Sequence, residues 1–163
     1  MNIFVTGGSG FIGSNFIMNQ IDKHNNKILN YDKLTYAANP ENLLKYKNNM
    51  SYNFIKGDLL DFQKLDHSIK NFKPDYIVNF AAESHVDRSI DGPKEFINTN
   101  ILGTYELLQA SLDYYNNISG NQKNNFKLLH VSTDEVYGSL GKTGYFTELT
   151  AYNPSSPYSA SKA

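Results

Sequence analysis

The sequence predicts an α/β fold, a doubly wound parallel sheet, and three observations carry that expectation. Apolar, β-rich runs alternate along the chain with segments whose apolar residues recur at the helical period. The run 75–82 is apolar apart from Asn79, the pattern of a strand covered on both faces. Glycines gather at Gly7, Gly8, Gly10 and Gly13, where the first apolar run gives way to the first helical segment.

Taken in order, Asn2–Thr6 reads as the first strand. Residues 11–23 carry Phe11, Ile12, Phe16, Ile17 and Ile21 at helical spacing. Lys27–Asp32 reads as the second strand and 52–55 as the third. Asp61 is placed to cap a helix reaching about Phe72, with Phe62, Leu65 and Ile69 on one face. The fourth strand is 75–82. Pro93 suits the first turn of a long helix to about Tyr115. The polar segment 116–125 reads as a loop, 126–133 as the fifth strand, and 138–157, rich in Gly, Pro, Ser and Thr, as a long loop. This β-α-β order implies right-handed crossovers. There is no internal repeat and no linker marking a second complete domain, so residues 1–163 read as one nucleotide-binding domain.

Composition narrows the function classes. With 163 residues, 40% of them hydrophobic and 13% aromatic, the chain can bury a core, which argues against disorder. A net charge of -1 with no basic stripe argues against nucleic acid as the main partner. Cysteine is absent, which removes disulfides, thiolate zinc sites and thiol nucleophiles. The opening is not a secretory signal and no run reaches membrane-spanning length, so a cytoplasmic protein without membrane contact is expected. Paired asparagines, such as Asn25-Asn26 and Asn124-Asn125, read as compositional bias.

Gly8-Ser9-Gly10-Phe11-Ile12-Gly13 satisfies the G-x-G-x-x-G pattern, with a strand before it and a helix after it. Such glycines permit a tight turn and close approach of backbone to a pyrophosphate, and the helix N-terminus faces the phosphates. The blander reading is a glycine-rich turn without a ligand. Asp32 ends the second strand, 19 positions beyond Gly13. A carboxylate there accepts from the adenosine ribose hydroxyls and repels a 2′-phosphate, favouring NAD over NADP; the alternative is a carboxylate capping its own turn. Asp58 could reach an adenine amino group or simply lie at the surface.

Tyr158 and Lys162 stand four apart, on one face if the segment is helical. A phenol is a weak base at neutral pH, and bringing its pKa from about 10 to about 7 takes roughly 4 kcal/mol of preferential phenolate stabilisation. A nearby ammonium and a cationic nicotinamide ring can supply much of that. Thr133, Asp134 and Glu135 follow the fifth strand, at the edge where open α/β sheets bind ligands. A regular strand would point Asp134 and Glu135 to opposite faces, so a shared substrate requires the backbone to leave strand geometry there. On local context alone a solvated acidic turn is the commoner role. Glu83, Ser84, His85 and Asp87 superficially suggest a metal site, but with no second ligand cluster we expect no metal. His130, inside the fifth strand, reads as a packed histidine.

On these residues the chain resembles the extended short-chain dehydrogenase/reductases, and among them the dTDP-glucose 4,6-dehydratases. The likeness rests on Thr6-Gly7-Gly8-Ser9-Gly10-Phe11-Ile12-Gly13, Asp32-Lys33-Leu34-Thr35-Tyr36-Ala37, Ala81-Ala82-Glu83-Ser84-His85-Val86-Asp87-Arg88-Ser89-Ile90, Ser132-Thr133-Asp134-Glu135-Val136-Tyr137-Gly138 and Tyr158-Ser159-Ala160-Ser161-Lys162. The glycine turn and the Tyr/Lys pair are shared across the superfamily. The adjacent acids and the 83–90 string are specific to sugar-nucleotide dehydratases, and they reverse the solvated reading of the acidic turn.

The resemblance implies a Rossmann fold that holds NAD tightly as a catalytic cofactor, with dTDP-glucose as substrate. Gly7, Gly10, Phe11, Ile12, Gly13, Asp32, Lys33, Leu34, Thr35, Asp58, Leu59, Ala81, Ala82, Thr99, Tyr158 and Lys162 would line the cofactor, and Ser84 and Thr133 the sugar. It implies that Tyr158, aided by Lys162 and Thr133, takes the 4-hydroxyl proton as C4 is oxidised. Glu135 then removes the C5 proton, Asp134 protonates the departing 6-hydroxyl, and C6 is reduced, giving dTDP-4-dehydro-6-deoxy-glucose, a rhamnose precursor. Family members carry roughly as much chain again, forming a sugar-nucleotide domain, so an N-terminal fragment, inactive in isolation, is expected. They pair as homodimers through the 93–115 helix and the one near Tyr158, a pairing left open for this chain. A UDP-sugar dehydratase, a sugar-nucleotide epimerase and a non-catalytic NAD-binding module are the alternatives; an epimerase needs no elimination acid and base.

Overall fold

A computed structural model describes residues 1–163, which form two compact units: Met1–Ala81 with Thr104–Val131, and Ala82–Gly103 with Ser132–Ala163. The first unit is built on five parallel strands, β1 (Asn2–Thr6), β2 (Lys27–Asp32), β3 (Tyr52–Lys56), β4 (Tyr76–Asn79) and β5 (Lys127–His130). Their order across the sheet is β3-β2-β1-β4-β5. The last rung aligns Thr6 with Tyr31 on one side and Asn79 on the other, and Asn79 with His130.

Side chains alternate across the pleat and feed two cores. Phe4, Leu29, Tyr31 and Ile77 face α2 (Phe62–Phe72) and α5 (Gly103–Asn117), packing with Leu65, Ile69, Leu107, Ala110 and Tyr114. Ile3, Val5, Ile28 and Val78 face α1 (Phe11–His24) and a 3₁₀ turn at Pro40–Tyr46, packing with Ile17, Ile21, Leu43 and Tyr46. Helices therefore cover both faces, as the alternating sequence pattern predicted. Asp61 caps α2 by accepting from the Lys64 N–H.

Four boundaries differ from the sequence reading. β4 ends at Asn79 rather than 82, because Asn79 Oδ1 takes the Ala81 N–H at 3.1 Å and draws that amide off the strand ladder. β5 likewise stops at His130. The segment read as a polar loop contains α6 (Gly120–Asn125). It is flanked by Phe126, which packs edge-on against Tyr114 at 5.4 Å, and its Lys123 ammonium lies 4.5 Å over the Tyr115 ring. Those contacts override a weak local propensity.

The fourth difference concerns the second unit. It contains α3 (Val86–Asp91), which the sequence did not suggest, then α4 (Pro93–Phe96), a π-helical turn at Ile97–Leu102, a 3₁₀ turn at Asp134–Tyr137 and α7 (Pro157–Lys162). The single helix expected from Pro93 thus changes its hydrogen-bond register before α5 begins. Such π turns occur often at functional positions. In α7, six residues long, Ser156 and Ser159 form a reciprocal capping box.

Candidate functional site

In the first unit the glycine turn is fixed by contacts that exclude side chains. Gly7 has φ 69°, and a Cβ on it would lie 2.5 Å from the Ala81 nitrogen. A Cβ on Gly13 would strike the Gly7 carbonyl, which already accepts from the Gly10 N–H at 3.2 Å. α1 opens with no side-chain cap and no acid in its first turn, so its N-terminal N–H groups and positive dipole end are not neutralised locally. Phe11, 80% exposed, and the exposed Ile12 stand on that turn. The arrangement fits the pyrophosphate of a dinucleotide, which needs bare backbone at close range.

Asp32 is buried, and both its oxygens engage backbone: Oδ2 accepts from Ser9 N–H and Oδ1 from Leu34 N–H, each at 2.8 Å. The turn-capping alternative for Asp32 is therefore real, and it includes the glycine turn. A carboxylate has about four acceptor directions, so ribose hydroxyls can share it. Leu34 adopts a left-handed backbone at φ 59°, with Lys33 and Thr35 exposed beside it. Lys33 pairs with Asp58 at 2.7 Å, and Asp58 also accepts from Leu60 N–H. Lys33, Lys56, Gly57, Asp58, Asp61 and Lys64 line an open cleft of about 400 Å³, and Leu59 is buried below the surface. Ala81 completes the cofactor candidates of this unit. His130 Nδ1 lies 3.0 Å from Asn79 Nδ2, and Asn79 Oδ1 accepts from Thr6 Oγ1 at 2.5 Å, so the histidine belongs to a polar ladder across the sheet.

The second unit holds Ala82, Ser84, Thr99, Thr133, Asp134, Glu135, Tyr158 and Lys162. Thr133 is their hinge. Its hydroxyl accepts from Glu135 N–H at 3.3 Å and lies 3.4 Å from Asp134 Oδ1, and the same side chain lies near enough to Tyr158 to pull the phenol's proton affinity down. The backbone leaves extended geometry at Asp134, entering the 3₁₀ turn that Thr133 caps. The structure thus gathers Thr133, Asp134, Glu135 and Tyr158 about one hydroxyl. Ser84 is exposed and Thr99 half-buried. No group of three or more His, Cys, Asp or Glu side chains assembles into a metal-ligand set.

Burial pushes the Tyr158 phenol above its ordinary value of 10.0, the Thr133 hydrogen bond pulls it down, and the Glu135 and Asp134 carboxylates push it up. Lys162 is only 8% exposed, and burial pulls its ammonium from 10.5 down to about 8. Tyr158 and Lys162 lie one turn apart on α7, as the four-residue spacing predicted. The helical spacing supplies a shared face; packing decides the electrostatics.

Sequence reasoning missed Asn100. Buried in the π turn, it accepts from Glu83 N–H at 2.8 Å and donates to Glu83 C=O at 2.9 Å and to Ser161 Oγ at 2.8 Å. Ser161 in turn donates to the Tyr158 carbonyl at 2.7 Å, and Ser132 Oγ donates to the Lys162 carbonyl at 2.9 Å. The only available signal was a pair of amides, Asn98 and Asn100, inside an apolar helical pattern, hidden among many asparagines.

A glycine turn after β1 of a parallel β3-β2-β1-β4-β5 sheet, with a helix bearing Tyr158 and Lys162 one turn apart, defines a Rossmann-type α/β protein of the short-chain dehydrogenase kind. The chain belongs to the GDP-mannose 4,6 dehydratase family, whose family model matches residues 4–163. It is 50% identical over 163 residues to a probable dTDP-glucose 4,6-dehydratase of Sinorhizobium fredii, covering all of this chain and 46% of that protein. It is 49% identical to the dTDP-glucose 4,6-dehydratase of Haemophilus influenzae, covering all of this chain and 48% of that one. The crystal structure of the Bacillus anthracis dTDP-glucose 4,6-dehydratase in complex with NAD superposes with a TM-score of 0.84 at 46% identity, over 99% of this chain and 47% of the other. The resemblance read from the sequence is borne out. The chain spans about half the length of the curated relatives it matches. None of its helices is long and apolar enough to cross a membrane.

Proposed function

We propose that residues 1–163 are the NAD-binding part of a dTDP-glucose 4,6-dehydratase, a lyase that converts dTDP-glucose to dTDP-4-dehydro-6-deoxy-glucose. The observation that carries this reading is Thr133, which caps the Asp134–Glu135 turn and lies near enough to the Tyr158 phenol to shift its proton affinity. A simple C4 oxidation or inversion needs the phenol; removing water across C5–C6 also needs an acid and a base. Similarity to enzymes named for this reaction supports the same reading.

Gly7, Gly10 and Gly13 would meet the pyrophosphate with bare backbone, with Phe11 and Ile12 over it. Asp32, Lys33, Leu34, Thr35, Asp58 and Leu59 would take the adenosine end, and Ala81, Ala82 and Thr99 would line the remainder. Bound NAD would accept the C4 hydride and later return it to C6. Tyr158 takes the proton of the sugar 4-hydroxyl, Thr133 orients that oxygen, and Lys162 holds positive charge beside both. Glu135 removes the C5 proton made acidic by the new ketone. Asp134 gives a proton to the 6-hydroxyl as it leaves as water. Ser84 would hydrogen-bond the sugar. Division of labour between adjacent carboxyls requires opposite protonation states, as in other paired-acid sites.

A homodimer is part of this proposal. Tyr105, Leu108, Leu112 and Tyr115 are exposed at helical spacing along α5, an apolar face suited to the same face of a second copy. A cytoplasmic location goes with the reading. The 163 residues alone are proposed to bind NAD without turning over dTDP-glucose. The test is product analysis with NAD and dTDP-glucose, on this chain and on a version extended to its relatives' length. A dehydrated 4-keto-6-deoxy product from the longer form supports the reading; an unchanged or C4-inverted sugar from it overturns the reading.

A further inference from the structure

We infer that Asn30 is a positioning residue for the glycine turn, acting through Ser9; its bearing on the cofactor rests on the function proposed above. Asn30 lies on β2, fully buried, two residues before Asp32. Its Nδ2 donates to Ser9 Oγ and to the Tyr52 hydroxyl of β3, both at 3.1 Å. Its Oδ1 lies so close to Gly8 that a Cβ there would collide with it. Ser9 is itself almost wholly buried and is held at every polar group. Its N–H donates to Asp32 Oδ2 and its C=O accepts from Asn39 N–H, each at 2.8 Å, while its hydroxyl is held by Asn30.

The arrangement has a physical cost that points to its purpose. Asn30 Oδ1 has no protein hydrogen-bond partner, although the amide sits in the sheet interior. An apolar side chain of similar volume would avoid burying an unpaired oxygen. What the amide contributes instead is a donor pair that links the middle of the turn to β3. Asp32 and Asn39 grip the Ser9 backbone, and Asn30 alone grips its side chain. Together they set the peptide orientations from Gly8 to Gly10, the stretch that presents N–H groups to a pyrophosphate. Asn30 touches no ligand.

The test uses this chain and two readouts. In the ligand-free protein, Asn30→Ala should speed amide hydrogen exchange across residues 7–13 by about tenfold, leaving Ile28 and Val78 in the sheet unchanged. NAD should bind about tenfold more weakly, while adenosine, which lacks the pyrophosphate, should bind within about twofold of the parent. Should Asn30→Ala fail to fold, Ser9→Ala removes the same bond from the other end. Unchanged exchange over 7–13, or a rise spread across the whole sheet, overturns the inference. So does an equal loss of NAD and adenosine affinity. A rise confined to 7–13 in a protein whose parent binds no NAD upholds the role of Asn30 and sinks the cofactor reading instead.

Discussion

Asn100 grips Glu83 by both polar groups of its main chain, accepting from the N–H at 2.8 Å and donating to the C=O at 2.9 Å. A side-chain amide that mimics a strand partner in this way fixes the irregular segment that leads through Ser84 to α3. The same amide reaches Ser161 and, through it, the Tyr158 carbonyl. Asn100→Ala should therefore unpair several buried groups at once and lower the unfolding free energy by about 2–4 kcal/mol. Asn100→Asp keeps the acceptor and loses the donors, so it should fall between. Urea titration of the three proteins checks the order; equal stability of Asn100→Ala and the parent would remove the network from consideration.

Lys162 gives a pH-dependent expectation. Its folded value of about 8 lies below its ordinary 10.5, so the unfolded chain binds the extra proton between those values. Folding thus carries a charge-burial cost below about pH 8 that fades as pH rises through 10.5, and stability contributed at this site increases with pH. Lys162→Met should remove this increment, so that between about pH 8 and pH 10.5 the stability of the parent rises relative to that of the variant. Thermal unfolding at a series of pH values measures it. A stability difference that does not change with pH over that range would mean that burial does not depress this ammonium.

The proposed division of labour separates two chemical steps. In a form that dehydrates dTDP-glucose, Tyr158→Phe should lower C4 oxidation by at least about 100-fold, the lower end for loss of a positioned acid or base. Asp134→Asn combined with Glu135→Gln should leave oxidation measurable and slow elimination by a similar factor. Single-turnover absorbance of the reduced cofactor reports the first step, and mass spectrometry of the sugar the second. Normal dehydration by the double variant would take both carboxyls out of the mechanism.

The apolar face of α5 makes a prediction about assembly. Leu108→Lys with Leu112→Glu should convert a dimer to a monomer, since charges desolvated at the centre of an interface cost several kcal/mol. Sedimentation of the parent and the variant at matched concentration decides it. A parent that is already monomeric would leave this face without the second copy proposed for it.

How much of this was legible beforehand depended on the range of the interactions involved. β1 and β2 were read to the residue, and α1 and α2 nearly so, because alternation, the helical period and the Asp61 cap are local patterns. The ends of β4 and β5 were not; at β4, Asn79 diverts the Ala81 amide. α6 was missed because its polar sequence shows no apolar helical period; the helix is held by contacts to aromatics on α5, Phe126 against Tyr114 and Lys123 over Tyr115.

The same division runs through the candidate site. By itself the sequence determined the glycine turn between β1 and α1, the placement of Asp32 at a strand end, and the one-turn spacing of Tyr158 and Lys162. All of these follow from short-range geometry. Only the tertiary structure decided that Asn30 and Asn100 are buried tethers among many look-alike surface asparagines. It alone set Tyr158 upward and Lys162 downward in proton affinity. Desolvation and buried hydrogen bonding are sums over neighbours brought together by folding, and a one-dimensional pattern does not contain them.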